Sequence, residues 1–299
     1  DQPLVKAVKD FQSDNGISSD GSANQSTLNL INVSVEERLK SVLVAMERER
    51  WSRTPHNNRH VVVNLTDFTT KIVDSGTITF ETKAIIGFDD LNRRSPEFSD
   101  ILEFMVVNPS WYVPRSIAVQ EYLPMLKVNS NAVSFLELRD NNGNIIQPGE
   151  VDFSSFDQET FPYSMRQPPG ETNALGLVKF MFPNKNNIYL HDTPSKSLFE
   201  LDVRAFSHGC IRLSDPFGFA YALLAVQSDD PISLFHFALG ANKELKIELK
   251  KPIPIHLIYR TAITKAGGGL QFRKDIYGRD TKIWDALQAE GVVLGSVTG

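Results

Sequence analysis

The hydrophobic period of the chain changes at residue 60, and this change constrains the fold more than any other feature. From there on, runs rich in Val, Ile, Thr and Phe are separated by turn residues, as is typical of strands. These runs cover residues 60–65, 76–86, 101–107, 177–182, 187–190, 253–259 and 270–272. The pattern predicts a mainly β domain over residues 59–299 of an α+β protein.

Two helical units precede this region. Over residues 1–33, apolar side chains recur at the spacing of one helix face, and a turn separates two short helices. Over residues 34–58, Ser34 and Glu37 have the spacing of a capping box at a helix start. We expect the first unit to be a small helical domain and the second to be a linker helix.

Residues 111–165 interrupt the strand pattern. A helical stretch at 118–126 and a turn-rich stretch at 140–144 predict an insertion of helices and irregular loops. Long insertions in compact domains commonly serve as binding lids, so we expect a cap over a site. Trp111 and Tyr112 open this insertion, and we interpret both as packing residues of the lid.

The composition narrows the classes of function. A net charge of −5 and a pI near 5.7 leave no dense basic patch of the kind that nucleic acid binding needs. The sequence has no apolar run near the roughly 18 residues of a membrane span. Its one cysteine excludes an intramolecular disulfide. The composition therefore predicts a globular protein that binds no nucleic acid.

That cysteine, Cys210, is the strongest functional signal, because it follows Ser207-His208-Gly209 and has His191 upstream. A thiol becomes a good nucleophile when a neighbour lowers its pKa from about 8.5 or removes its proton, and an imidazole does both. A free cysteine is also commonly a small buried hydrophobe. The polar and small neighbours favour the nucleophile, since Gly209 lets the backbone approach a ligand closely.

His191 falls at the end of a predicted strand, where the sheet holds side chains that still face a cleft. We predict that it is the base for Cys210 and that its second ring nitrogen is held by a backbone carbonyl of residues 191–193 or by a carboxylate. The backbone N–H groups of His208, Gly209 and Cys210 are predicted to converge on an oxyanion. Each such donor is worth about 3–4 kcal/mol.

Motifs spread over nearly the whole chain carry a resemblance to a known family. They are His191 with Ser207-His208-Gly209-Cys210 and Arg212, and the segments 108–118, 166–170, 173–176, 189–194, 258–261 and 275–280. Together they resemble the YkuD-type L,D-transpeptidases and, within these, the large periplasmic YcbB subgroup. Residues 4–32 also resemble a truncated form of the peptidoglycan-binding repeat found beside many wall enzymes.

The resemblance implies a YkuD-like β-sandwich with a capping insertion at about residues 111–165. It also implies that Cys210 is the nucleophile and His191 the general base. Cys210 would attack the L,D bond after the third residue of a peptidoglycan tetrapeptide stem, release D-Ala and form a thioester. The amine of a second stem would then resolve the thioester and form a 3→3 cross-link.

Further site residues follow from the same resemblance. His208, Gly209, Ser207 and Arg212 would line the donor site, and Tyr189 would lie near the oxyanion or the thiolate. Alternatives remain for three of them: His208 bonded to backbone, Tyr189 as a strand residue, and Arg212 paired with an acidic side chain. For Arg212 the candidate partners are Asp202 and Asp215.

The family also implies the partners and the location. Peptidoglycan stem peptides are the expected donor and acceptor, and carbapenem β-lactams are expected to acylate the cysteine. We expect no cofactor and no metal, a periplasmic location in a Gram-negative-type bacterium, and a signal segment or inner-membrane anchor ahead of this sequence.

Three other functions stay open at this point. A zinc site built on His191, His208 and Cys210 is one, although paired ligands at helical spacing are missing. An L,D-carboxypeptidase, in which water takes the acyl group, is the second. A non-catalytic peptidoglycan-binding protein is the third.

Overall fold

A computed structural model describes residues 2–51, 58–265 and 268–295. Its helices are α1 (Gln2–Asp14), α2 (Gln25–Ile31), α3 (Val35–Trp51), α4 (Arg115–Ile117), a π-helix (Ala118–Tyr122), α5 (Leu123–Val128), α6 (Pro216–Leu224), α7 (Pro231–Gly240) and α8 (Arg279–Ala289). Short 3₁₀ turns lie at Pro148–Glu150, Phe153–Ser155 and Lys196–Glu200. Within the described ranges, no helix has the length and hydropathy to cross a membrane.

The strands account for most of the remaining regular structure. They are β1 (His60–Asn64), β2 (Thr69–Asp74), β3 (Thr77–Gly87), β4 (Phe98–Val107), β5 (Trp111–Tyr112), β6 (Glu137–Arg139), β7 (Ile145–Ile146), β8 (Ser164–Gln167), β9 (Val178–Met181), β10 (Leu190–His191), β11 (Ala205–Ser207), β12 (Ile211–Leu213), β13 (Leu245–Ile258), β14 (Ala262–Thr264) and β15 (Leu270–Phe272). The α+β class predicted from the sequence is confirmed.

Nine strands form the main sheet, in the order β11-β3-β12-β10-β9-β4-β13-β1-β2. Because β3 also pairs with β2, the sheet returns on itself and encloses one large apolar core. Helices α6 and α7 contribute to this core with side chains such as Phe219 and Phe235, both fully buried. Asp215 caps α6 and Asp230 caps α7, each by accepting a backbone N–H in the first turn of its helix.

The insertion has a second, separate core. Strands β5, β8, β6 and β7 form a small antiparallel sheet, and the buried side chains of this region pack on one another. Trp111 belongs to this cluster and is 9% exposed, whereas Tyr112 is 65% exposed. Trp111 is therefore a packing residue of the insertion, as expected, whereas Tyr112 is not. The insertion therefore contains four short strands that the sequence did not predict, in addition to the expected helices and loops.

The N-terminal helices pack through a buried polar side chain. The Gln12 side chain donates to Asp20 and Thr27 and accepts the N–H of Gly21, so α1, α2 and their connecting turn are held together. Ser18 in that turn donates to Asp202 of the main domain. Helix α3 corresponds to the linker helix expected over residues 34–58, and it ends at Trp51. Residues 52–57 of that prediction lie outside the described ranges.

A buried charge network ties α3 to the C-terminal helix. Arg48 is 5% exposed, and its guanidinium lies 2.8 Å from both Asp280 and Glu97. Arg279 bonds to Glu97 at 3.1 Å and donates to the Ser95 carbonyl at 2.7 Å. Removing one member of such a network would leave a buried charge without its partner, at a cost of several kcal/mol. The network thereby fixes α3 and α8 against the segment between β3 and β4.

Candidate active site

Strand pairing brings the two predicted catalytic side chains to one place. Strand β10 lies between β9 and β12, and its parallel pairing with β12 sets His191 opposite Arg212. The N–H of Ile211 donates to the Tyr189 carbonyl at 3.1 Å, so Tyr189 and Cys210 are neighbours at the same strand ends. Residues far apart in sequence therefore meet through the register of two short strands.

These strand ends open into a cleft of about 660 Å³ between the main sheet and the insertion. One side, the strand wall, comprises Tyr189, His191, Ser207, His208, Cys210 and Arg212. The opposite side, the insertion wall, comprises Trp111, Tyr112, Pro114, Ser116, Ile117, Glu121 and Tyr122. All the site residues predicted from the sequence except Gly209 line the cleft, and Gly209 lies within the same loop.

The Cys210 thiol is half-buried and uncharged. Burial raises its pKa to about 11, although hydrogen bonds from the backbone and the hydroxyl of Tyr189 and the positive charges of Arg212 and Lys179 oppose that shift. The thiol donates to the Asn187 carbonyl at 3.7 Å. Burial also raises the pKa of the Tyr189 hydroxyl, and a thiolate on Cys210 would raise it further, so the hydroxyl keeps its proton and remains a donor.

The His191 imidazole is buried, neutral and held in one tautomer. Burial, with help from the charge of Arg212, lowers its pKa to about 3. Its Nδ1 lies 2.5 Å from the Asp192 carbonyl oxygen, and because a carbonyl only accepts, Nδ1 carries the proton. Nε2 is then left with the lone pair that a general base needs. Of the two partners left open by the sequence, the backbone carbonyl is the observed one.

The Asp192 carboxylate has a different task. It accepts the N–H groups of Leu177 and Thr193 and pairs with Lys196 at 2.6 Å. It therefore ties the residues that follow the histidine to the start of β9, and it makes no hydrogen bond to the imidazole.

Residues 207–210 form the nucleophile loop, and hydrogen bonds among its own polar groups hold its conformation. The Ser207 hydroxyl donates to the Cys210 carbonyl at 2.5 Å and accepts the N–H of Gly209 at 3.1 Å. Gly209 has a φ of +113°, a conformation that side-chain-bearing residues rarely adopt. Of the three predicted oxyanion donors, the Gly209 N–H is thus already engaged by Ser207.

A buried serine, which the sequence did not single out, supports this loop from behind. The Ser95 hydroxyl donates to the Gly209 carbonyl at 2.7 Å and accepts the N–H of Gly87 at 2.9 Å. The Tyr277 hydroxyl donates to the Gly87 carbonyl at 2.6 Å and accepts the Ser95 N–H. A Cβ on Gly87 would lie 1.9 Å from the Arg93 carbonyl oxygen, so only glycine fits there.

Arg212 presents an unpaired donor near the thiol. Its Nε is buried and has no hydrogen-bond partner among the described residues. Both acidic partners considered from the sequence are engaged elsewhere: Asp202 accepts from Ser18, and Asp215 caps α6. Burial lowers the pKa of the guanidinium, and a thiolate on Cys210 would oppose that shift. The pairing alternative for Arg212 is therefore wrong, and the side chain suits a carboxylate or carbonyl of a ligand.

Lys179 and Glu121 are two further charged groups near the site, and neither belongs to a motif that could be recognised in the sequence. Lys179 lies opposite His191 across β9 and β10, and burial lowers its pKa. Glu121 reaches from the insertion wall to His208, with its Oε1 2.5 Å from Nε2 of that ring. The ring of His208 is thus bonded to a carboxylate rather than to backbone. Nowhere in residues 2–51, 58–265 and 268–295 is there a cluster of three His, Cys, Asp or Glu side chains arranged to bind a metal.

Residues 58–243 match the YkuD family, described as the L,D-transpeptidase catalytic domain. The chain therefore belongs to this family of transpeptidase-type enzymes. A curated Haemophilus influenzae protein named "Putative L,D-transpeptidase" is 31% identical over 253 residues. That match covers 82% of this chain and 50% of the relative, so the chain spans half the length of that protein.

Solved structures with similarity to the chain are also L,D-transpeptidases. One from Mycobacterium smegmatis is 14% identical, with a TM-score of 0.31 and coverage of 67% of this chain and 59% of the other. Another, LdtMt1 in complex with imipenem, is 13% identical, with a TM-score of 0.30 and coverage of 67% and 58%. A third, from Xylanimonas cellulosilytica, is 11% identical, with a TM-score of 0.29 and coverage of 84% and 78%.

Proposed function

We propose that the protein forms 3→3 cross-links in peptidoglycan through a thioester on Cys210. The observation that carries this proposal is the neutral His191 imidazole, held by the Asp192 carbonyl with Nε2 unprotonated, on the same cleft wall as the Cys210 thiol. A neutral base next to a neutral thiol is the starting state for a proton transfer that accompanies nucleophilic attack.

In the first half-reaction, Nε2 of His191 takes the thiol proton as Sγ attacks the carbonyl after the third residue of a tetrapeptide stem. The Tyr189 hydroxyl and the N–H groups of His208 and Cys210 stabilise the oxyanion, because the Gly209 N–H is engaged by Ser207. The C–N bond then breaks, and the departing D-Ala nitrogen receives the proton from His191. Arg212, whose Nε has no partner in the described structure, suits the D-Ala carboxylate.

In the second half-reaction, the side-chain amine of another stem attacks the thioester. A C–N bond forms, the C–S bond breaks, and the Cys210 sulfur recovers a proton. Water at the same step would give an L,D-carboxypeptidase, and the insertion wall is the part of the cleft positioned to hold an amine there.

The remaining assignments extend the same proposal. Carbapenems would acylate Cys210, in line with the imipenem complex of LdtMt1. The motifs shared with the YcbB subgroup, the cap at about residues 111–165 and the helical unit at 1–33 fit a periplasmic wall enzyme with a peptidoglycan-binding element and an inner-membrane anchor. In this scheme the catalytic domain occupies residues 59–299, and the helix over 34–58 links the two units.

Incubation with a disaccharide-tetrapeptide, followed by mass spectrometry, tests the proposal. We expect a cross-linked dimer that lacks one D-Ala, and no product from Cys210→Ala. Tripeptide monomer without dimer would identify a carboxypeptidase instead. An unchanged substrate, with binding retained by Cys210→Ala, would identify a non-catalytic wall-binding protein.

A further inference from the structure

We infer that Glu121 binds the ammonium group of the acceptor stem and so directs the thioester toward an amine rather than water. This inference rests on the proposed function, and it assigns a role to a residue of the insertion wall.

The position of Glu121 suits a role in binding. It lies in the π-helix Ala118–Tyr122, a rare helical form that is frequently found at functional sites. Among the described residues that line the cleft, it is the only carboxylate. Its side chain is 43% exposed, so a ligand in the cleft has access to it.

The hydrogen bonding of the Glu121 carboxylate leaves one of its oxygens available to a ligand. Oε1 holds the His208 ring at 2.5 Å, whereas no described residue donates to Oε2. A carboxylate accepts several hydrogen bonds, so an ammonium group can bind while the bond to His208 persists. His208 is two residues before Cys210, and the pair therefore links this acceptor to the nucleophile loop.

Opposite charges lie on the two walls of the cleft. Arg212 is positive and belongs to the strand wall, where it suits the carboxylate of the departing D-Ala. Glu121 is negative and belongs to the insertion wall. An amine with a pKa near that of lysine, about 10.4, arrives as an ammonium ion at neutral pH. The acidic side of the cleft matches this cation, and the basic side matches the donor.

The reaction balances with this assignment. The bound ammonium loses one proton before its nitrogen attacks the thioester carbonyl, and it loses a second when the tetrahedral intermediate collapses. The C–N bond replaces the C–S bond, one proton returns to the Cys210 sulfur, and the other leaves through His191 to solvent. Glu121 keeps its charge throughout and positions the nitrogen.

Glu121→Gln tests the inference, since it removes the charge but keeps an oxygen for the bond to His208. With a disaccharide-tetrapeptide as substrate, we expect the ratio of cross-linked dimer to tripeptide to fall about tenfold, which corresponds to the loss of one charge-assisted hydrogen bond. The rate of acylation by imipenem should stay within about twofold of the original protein. Glu121→Asp should restore part of the ratio. Glu159→Gln, an exposed change outside the cleft, is the matched control.

Two outcomes with Glu121→Gln alone overturn the inference while the proposed function stands: an unchanged ratio, or an equal loss of imipenem acylation, which would mean that Glu121 acts on the donor side. A double-mutant cycle distinguishes direct binding of the ammonium group by Glu121 from a role in which Glu121 only holds His208. Glu121→Gln should still lower the ratio in a His208→Ala background, and no further loss there would refute direct binding. Absence of dimer from the unmodified protein would instead overturn the proposed function and the inference with it.

Discussion

The two walls of the cleft are built in opposite ways. His191 on the strand wall is 4% exposed, and its position is fixed by strand register and by backbone hydrogen bonds. Tyr112 on the insertion wall is 65% exposed, and Glu121 is also open to solvent. Apart from His208, the strand wall is therefore a largely buried, pre-arranged surface, whereas the insertion wall is largely open apart from Trp111 and Ile117.

From this difference we expect the strand wall to carry out acylation and the insertion wall to select the acceptor. Burial is the first cause of the pKa shifts of the thiol and of four groups around it, and each shift favours the uncharged form: Cys210 and Tyr189 upward, and His191, Arg212 and Lys179 downward. Changes to the strand wall should therefore act on acylation. Changes to the insertion wall should act on the choice between acceptors.

The largest expected effect comes from His191→Ala. Without a base, the neutral thiol has no acceptor for its proton, so the acylation rate should fall by about 10²- to 10⁴-fold. The measurement is the rate of imipenem adduct formation by intact-mass spectrometry. His236→Ala is the control, because that histidine is exposed and does not line the cleft. A loss of less than about threefold would show that another group takes the proton.

A smaller effect is expected from Ser95→Ala, which acts beneath the strand wall. This change leaves the Gly209 carbonyl and the Gly87 N–H without their hydroxyl partner, at about 1–3 kcal/mol for each buried group. We expect the free energy of unfolding to fall by that order and the acylation rate constant to fall about tenfold.

The acylation assay is run at a temperature where Ser95→Ala remains folded by circular dichroism. A positioning role predicts a lower rate constant with an unchanged half-saturating imipenem concentration, and Ser233→Ala, an exposed change on α7, should alter neither. Loss of stability with full acylation activity would mean that Ser95 only supports the fold.

The sequence predicted those parts of the molecule that depend on local pattern or on known chemistry. The change of period located β1, and the polar motif around Cys210 with the distant His191 located the strand wall. Strand β2 and helix α7 were missed. Strands β5 to β8 were also missed, because runs of two to four residues carry too little periodicity to detect.

The site residues that were not predicted from the sequence were missed for a different reason. Ser95 meets the Gly209 carbonyl across 114 positions of sequence, and Glu121 meets His208 across 87. Neither residue belongs to a chemical motif of its own, and each gains its role only when the chain closes around the cleft. Such long-range pairs require the register of the main sheet and the placement of the insertion, which periodicity does not supply.

The smallest expected effect, a nearly flat pH profile, is the sharpest test of the buried strand wall. His191 has a pKa lowered to about 3 and Cys210 a pKa raised to about 11, so neither group changes protonation between about pH 5 and pH 8. We expect the acylation rate with imipenem to vary less than about twofold over this range. In His191→Ala the residual rate should instead rise about tenfold per pH unit, because it then depends on the thiolate fraction. An acidic decline in the unmodified protein with a midpoint between about pH 6 and 7 would show that the imidazole is solvated and that this wall is as open as the other.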